Sequence, residues 1–325
     1  MQKQLIDNIF SIKTEAEFKD LALEVFHYQS NNVEVYKKYI ESLHKDFSKI
    51  TELEEIPFLP IEFFKSHKVL AKNKTHETIF ESSGTTGQNT SKHYVHDLEI
   101  YKKSFLKAFE QIYGNDFVLL ALLPSYLERE NSSLVFMVNE LINRNANPES
   151  GFYLKNYEEL HGKLIQLEKS NKKVILIGVT FALLDFVEKF PMKLRNTTII
   201  ETGGMKGRRK EITRSELHEI LKQGFQTENI HSEYGMTELL SQAYLINSNL
   251  FTFPNWAQIL VRDLYDPFSY VAENQSGGIN IIDLANIYSC SFIETKDIGK
   301  LHANNQFEVL GRSDNSEIRG CNLMI

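Results

Sequence analysis

The sequence is short of the residues that would mark a secreted, membrane-bound or nucleic-acid-binding protein. Its 325 residues hold two cysteines, seven prolines and one tryptophan. Cys290 and Cys321 make no disulfide framework, which excludes a stapled secreted scaffold and points to a reducing compartment. Basic residues are in the minority: 36 Lys and Arg against 43 Asp and Glu give a net charge of −7. Binding driven by nucleic-acid phosphates is therefore not expected, and the basic cluster Lys206-Gly207-Arg208-Arg209-Lys210 is short and set in an acidic background. Long hydrophobic runs are also missing. The most apolar stretch, Val174 to Val187, carries Asp185 and falls short of the roughly 20 residues a bilayer requires. Met1-Gln2-Lys3-Gln4-Leu5-Ile6-Asp7 shows no apolar core followed by a cleavage site. The expectation is a cytoplasmic protein with no membrane span and no nucleic-acid partner.

What is present is enough apolar material for a large core, 42% of the chain, as one big domain or two to three lobes. Thr14-Glu15-Ala16-Glu17 has capping-box spacing, with Phe18, Leu21, Val25 and Phe26 then on one helical face. Val33 to Leu43 repeats the pattern through Tyr36, Tyr39, Ile40 and Leu43. The prolines of Ile56-Pro57-Phe58-Leu59-Pro60-Ile61 predict an extended, core-lining connector. Asp97 can cap a helix reaching Tyr113, with Ile100, Tyr101, Phe105, Ala108 and Phe109 inward. Phe117–Leu123, Val174–Ile177 and Thr198–Glu201 read as strands alternating with helices Ser132–Asn143, Asn156–Ser170, Phe181–Phe190 and one opened by Thr213. That alternation predicts an α/β fold with a mainly parallel sheet. From Trp256 onward short strands take over: Ala257–Arg262, Gly278–Leu284, Ser291–Glu294, Lys300–His302 and Phe307–Leu310. The expected organisation is a helical lead-in over 1–80, an α/β core over 81–255 and a β-rich closing part over 256–325, forming one compact unit.

Between candidate strands Thr78–Glu81 and Lys92–His96 lies Ser82-Ser83-Gly84-Thr85-Thr86-Gly87, six small residues with no apolar member. Glycine lets backbone N–H groups turn toward an anion, and the hydroxyls add donors. The natural guest is a polyphosphate, although the Gly-Lys-Ser/Thr ending of a P-loop is absent and a flexible linker would have the same composition. Four later stretches carry chemistry. Glu201-Thr202-Gly203-Gly204-Met205 follows a buried strand, where two glycines would admit a flat base or simply turn the chain. Tyr234-Gly235-Met236-Thr237-Glu238 follows the candidate strand Ile230–Glu233 and offers an aromatic face, a hydroxyl and a carboxylate suited to Mg2+, or a plain strand-end turn. Thr295-Lys296-Asp297-Ile298-Gly299 places an acid between two strands, to grip ribose hydroxyls or make a hairpin. Gly311-Arg312-Ser313-Asp314 is a surface turn or a phosphate-facing arginine with a hinge acid. His93 and His96, three apart in an alternating strand, stand on opposite faces, which argues against a shared metal.

In this order the five stretches resemble the adenylate-forming superfamily of acyl-CoA synthetases, luciferases and their relatives, over most of the chain from Phe80 to Gly320. The resemblance implies the architecture of that superfamily's N-terminal domain plus a small β-rich subdomain. It implies that Ser82, Ser83, Gly84, Thr85, Thr86 and Gly87 hold the phosphates of ATP, that Gly203, Gly204 and Tyr234 line the adenine, and that Gly235 also belongs to the ATP site. Thr237 and Glu238 would then serve phosphate and Mg2+, Asp297 the ribose, and Arg312 the ribose or phosphate side. The implied reaction is attack of a carboxylate on the α-phosphate, giving an acyl-adenylate and pyrophosphate.

Two departures narrow the family. The sequence ends eleven residues beyond Asp314, where the superfamily usually continues into a domain with a catalytic lysine, and Gln88-Asn89-Thr90-Ser91-Lys92 stands where Pro-Lys often follows the Gly/Thr loop. With Pro57–Ser66 and the tail Glu317-Ile318-Arg319-Gly320-Cys321, the chain looks like the acyl-protein synthetases, the fatty-acid-activating components of fatty acid reductase complexes. By that resemblance Cys321 accepts the acyl group as a thioester and passes it to an acyl-CoA-reductase-like partner. A thiol on a terminal tether can visit two sites, and Arg319 would raise its thiolate fraction. Cys290 reads as core. Two other functions fit the same residues: a non-adenylating acyl carrier subunit, which would be acylated without ATP, and an acyl-CoA ligase, which would form no covalent intermediate.

Overall fold

The computed structural model describes residues 2–47, 49–82, 90–124, 131–154, 156–205, 208–246 and 249–313. The chain opens with helices α1 (Gln2–Ile9), α2 (Glu15–Asn32) and α3 (Glu34–Ser42). Thr14 and Glu17 close the expected capping box on α2, Thr14 Oγ1 accepting from Glu17 N at 3.2 Å and Glu17 Oε2 from Thr14 N at 3.1 Å. The buried stripe is Phe18, Ala22, Val25, Phe26 and Gln29, so Ala22 takes the inward place the pattern gave to Leu21. The proline-bearing connector does line a core. Phe58, Leu59, Ile61 and Phe64 are all buried, and it yields strand β1 (Leu59–Pro60) and the short helix α4 (Phe63–Ser66). Strands β2 (Thr78–Glu81) and β3 (Lys92–Val95) pair as an antiparallel hairpin. Helix α5 (Leu98–Tyr113) buries all five of the residues expected to face inward.

The remaining elements are β4 (Val118–Leu122), α6 (Ser133–Asn145), β5 (Gly151–Tyr153), α7 (Tyr157–Glu168), β6 (Val174–Val179), α8 (Thr180–Lys189), β7 (Thr197–Thr202), α9 (Arg214–Phe225), β8 (Ile230–Tyr234), β9 (Ala243–Leu245), β10 (Phe251–Thr252), β11 (Ala257–Arg262), β12 (Ser276–Asp283), β13 (Phe292–Leu301) and β14 (Gln306–Arg312). They fall into two compact units. One comprises Met1–Ser104, Met236–Ser241 and Leu250–Ile325; the other comprises Phe105–Gly235 and Gln242–Asn249.

The second unit is the α/β part. Its strands run in the order β5-β4-β6-β7-β8-β9. The first five are parallel, and β9 is antiparallel to β8. Every residue of β4 and β6 is buried, as a continuous apolar run between covering layers requires. Helices α6, α8 and α9 lie against β4, β6 and β8. A second capping box, Thr213 with Glu216, starts α9.

The first unit is the β-rich part, built on the antiparallel order β11-β12-β13-β14-β10. Strand β1 adds in parallel to β13, Leu59 opposite Ile293. Here the structure departs from the sequence reading. The two strands expected on either side of Asp297 are one ten-residue strand, β13, and Asp297 lies within it rather than in a turn. Alternation keeps Thr295 and Asp297 on the buried side, at 2% and 9% exposure. The glycine that suggested a hairpin marks a register shift between Ile298 and Gly299. A Cβ at Gly299 would stand 2.2 Å from the Glu308 carbonyl oxygen, so the close approach of β14 selects glycine there.

Candidate functional site

In the β-rich unit, the β2–β3 hairpin is closed by two hydrogen bonds where the chain enters and leaves the Gly/Thr stretch. Ser82 N donates to Ser91 O at 3.0 Å, and Ser91 N donates to Ser82 Oγ at 2.9 Å. Ser82 is therefore at the base of the Gly/Thr stretch; Ser83, Gly84, Thr85, Thr86 and Gly87 lie outside the described residues, as does Cys321. Glu238 is 5% exposed. Burial pushes its carboxyl upward, opposed by a hydrogen bond from Ser91 and by the charges of Arg312 and Lys65. Ser91, paired with Ser82, leads directly into β3, whose His93 meets the turn that carries Glu238.

The turn carrying Thr237 and Glu238 is held by its backbone. His93 Nδ1 is 2.8 Å from the Thr237 carbonyl oxygen and Nε2 is 2.9 Å from Asn286 Oδ1. Asn286 Nδ2 donates to the Glu238 carbonyl at 2.7 Å. Two oxygens facing one ring suit its doubly protonated form, yet burial acts the other way and takes His93 down to about 4; the neutral ring has one N–H to give. Beyond Leu239, Asp283 anchors the chain: its Oδ2 accepts from Leu240 N at 2.7 Å and Ser241 N at 3.0 Å. On β13, Asp297 sits opposite Arg312 of β14, and the Nε–Oδ1 separation is 3.4 Å. With the arginine side chain 69% exposed, water screens that pair and it adds little stability.

In the α/β unit the predicted residues lie where parallel strands β7 and β8 end, the position at which open α/β sheets receive ligands. Gly203 has φ 71°, which glycine adopts without strain, and its carbonyl accepts from Thr180 Oγ1 at 3.1 Å. A Cβ at Gly204 would meet nothing within 4 Å. Tyr234 closes β8, and behind it Glu233 is buried with Thr202 Oγ1 donating to its Oε2. Burial raises Glu233 to about 7, with the Thr202 hydrogen bond opposing and the charge of Glu201 reinforcing the rise. Gly235 makes room for that carboxyl: a Cβ there would be 2.5 Å from Glu233 Oε1. Burial also opposes charge on Glu201, but His218, Arg214 and Ser232 together hold it below the usual carboxylate range.

Glu201, His218 and Ser232 have the composition of a nucleophilic triad without its geometry. His218 Nε2 faces both Ser232 Oγ at 2.9 Å and Glu201 Oε1 at 3.7 Å, so one nitrogen meets both groups. Ser232 is 0% exposed, out of reach of a substrate. The cluster ties α9 to β7 and β8.

The structure therefore gathers Ser82, Thr237, Glu238, Asp297 and Arg312 in one unit and Gly203, Gly204, Tyr234 and Gly235 in the other; the Tyr234–Glu238 stretch divides after Gly235. Among the described residues no three His, Cys, Asp or Glu side chains converge to hold a metal, and no helix is long and apolar enough to cross a membrane. Sequence reasoning did not select Ser91, Asp283, Asn286 or Glu233. Only Ser91, two residues before His93 and hence on the same face of an extended chain, had a local signal.

Residues 13–325 match the family described as "Acyl-protein synthetase, LuxE". The chain belongs to that family. It is 36% identical over 70 residues to a long-chain-fatty-acid–luciferin-component ligase of Photorhabdus luminescens, covering 21% of this chain and 60% of that protein. Among solved structures it resembles 2-hydroxyisobutyryl-CoA ligase in complex with 2-HIB-AMP and CoA, at a TM-score of 0.68 and 13% identity, over 93% of this chain and 69% of the ligase. ATP-bound MatB from Rhodopseudomonas palustris aligns at a TM-score of 0.55 and 13% identity, over 72% of this chain but 47% of MatB. These likenesses establish the adenylate-forming fold.

Proposed function

We propose that this acyl-protein synthetase family member activates a fatty acid with ATP and then carries the acyl group on Cys321 as a thioester. The observation that carries this reading is the turn of Thr237 and the buried Glu238, met by His93 of β3, the strand that leaves the base of the Gly/Thr loop. In the first step the substrate carboxylate oxygen attacks the α-phosphorus of ATP, and the bond to pyrophosphate breaks. Ser82 to Gly87 supply N–H and hydroxyl donors to the phosphates, joined by Thr237. Gly203, Gly204, Tyr234 and Gly235 accept the adenine, while Asp297, with Arg312 beside it, grips the ribose. Glu238 fits a divalent cation: burial raises its carboxyl because the neighbouring charges only partly compensate it, and one carboxylate with phosphate oxygens is a common Mg2+ donor set. Such a cation, when bound, offsets charge on the phosphates. In the second step the Cys321 thiolate attacks the acyl carbon and AMP leaves. The thioester then passes to an acyl-CoA-reductase-like partner in the cytoplasm, where thiols stay reduced.

Intact-protein mass spectrometry after incubation with ATP, Mg2+ and mixed fatty acids tests both steps. The expected result is an acyl adduct that needs ATP and disappears in Cys321→Ser, while ATP–pyrophosphate exchange persists. Exchange absent with every acid refutes the first step; an adduct that survives Cys321→Ser refutes the second.

A further inference from the structure

Thr237 and Glu238 lie in a turn outside any strand, so no sheet ladder takes their carbonyl oxygens, and buried backbone oxygens need partners. Two side chains distant in sequence provide them. His93, 0% exposed, faces the Thr237 carbonyl, Asn286, 1% exposed, donates to that of Glu238, and the ring and amide meet each other. We propose that His93 and Asn286 are positioning residues, a clamp that fixes the Thr237 hydroxyl and Glu238 carboxylate toward a polyphosphate and its divalent cation. This rests on the function proposed above.

Two features separate the clamp from ordinary core packing. First, Ser91 and His93 share one face of an extended segment. One pairs with Ser82 at the base of the Gly/Thr loop and the other faces the Thr237 carbonyl. A single short stretch, leaving the base of the Gly/Thr loop, thus holds the backbone of this turn. Second, the site of His93 would suit an apolar ring. It stacks edge-on to Phe64 with ring centroids 5.8 Å apart, and a buried imidazole costs desolvation that a phenyl group does not. The polar ring is explained by the N–H it gives to an oxygen it faces, which a phenyl ring could not supply.

The test is ATP–pyrophosphate exchange with a fatty acid, comparing wild type with His93→Phe, His93→Gln and Asn286→Asp. Asn286→Asp keeps the acceptor for the ring and removes the donor to Glu238. The expected result is a KM for Mg·ATP raised about ten- to a hundredfold, the range a small misplacement of reacting groups produces. KM for the acid stays unchanged, and His93→Gln, which retains a donor, is milder than His93→Phe. Should His93→Phe fail to fold, the other two variants carry the measurement. Variants whose Tm falls while the folded fraction keeps the wild-type KM for Mg·ATP overturn the clamp and leave it a structural fastening. Wild type without exchange removes the proposed function, and the clamp's role with it; wild-type exchange with unaltered variants removes the clamp alone.

Discussion

Glu233 has its carboxyl bonded by Thr202, with Glu201 nearby, and burial lifts it to about 7 from an ordinary value of 4.5. Between those two values the folded state holds a proton that the unfolded chain has lost. Stability conferred by Glu233 is therefore full below pH 4.5 and declines as pH rises through 7, because the ionised form is disfavoured in the folded protein. The size of the effect is about 3–4 kcal/mol, at roughly 1.4 kcal/mol for each pH unit between the two values. Denaturant unfolding from pH 4.5 to 8 should show wild type losing stability across this window, and Glu233→Gln should remove most of that slope. Gly235→Ala places a methyl group against Glu233 Oε1 and 3.3 Å from Gln242 Cγ. It should cost about 1–3 kcal/mol in the same measurement. At this scale the sequence was partly legible. Ser82, Gly203, Tyr234, Glu238 and Asp297 stand in short local patterns that can be read along the chain. Strand alternation argued against a metal shared by His93 and His96, but the partner of His93, Asn286, is 193 residues away, and no spacing rule reaches that far.

At the scale of elements, the chain was most legible where burial is uniform or helical periodicity is long. Strands β4 and β6 are wholly buried, and their unbroken apolar runs announce them. The capping boxes at Thr14 and Thr213 announced α2 and α9. Thr213→Ala should lower stability by about 1 kcal/mol, read from the thermal midpoint, since it removes the acceptor for Glu216 N. Short edge pieces such as β5, three residues, and β10, two residues, owe their form to neighbours and carry no pattern of their own. Strand β13 misled for a different reason. Lys296, Asp297 and Gly299 are poor strand formers by composition, and only pairing with both β12 and β14 makes them strand. Gly299→Val should test this, because its side chain would meet the Glu308 carbonyl and Ile279. A loss of 2 kcal/mol or more is expected, together with faster hydrogen exchange in β14.

At the scale of the whole molecule, the two units differ in how the chain enters them. The parallel sheet of the α/β unit is complete once β9 ends at Leu245. The β-rich unit draws on three separate stretches, the last beginning at Leu250. A chain stopped after Asn249 should therefore keep amide protection in β4, β6 and β7. It should lose protection in α2, whose inward face packs on residues still to come: Phe26 lies 6.1 Å from Phe292, ring to ring. Hydrogen exchange with mass spectrometry would resolve the two regions, and equal protection in α2 would contradict the expectation.

Gln29 gives that dependence a clock. Its amide nitrogen donates to the carbonyls of Asn286 and Ile287 and to Ser291 Oγ, and its oxygen accepts from Ser291 N, 262 residues further along the chain. At about 5–20 residues per second of translation, helix α2 waits roughly 13–50 seconds at the ribosome before its polar anchor has been made. Through that interval Phe26 has Tyr36 beside it but lacks Phe292. Helix α2 is thus made long before the partners of Gln29 and is secured by them only when they emerge, which leaves it dependent on chaperone cover in the meantime.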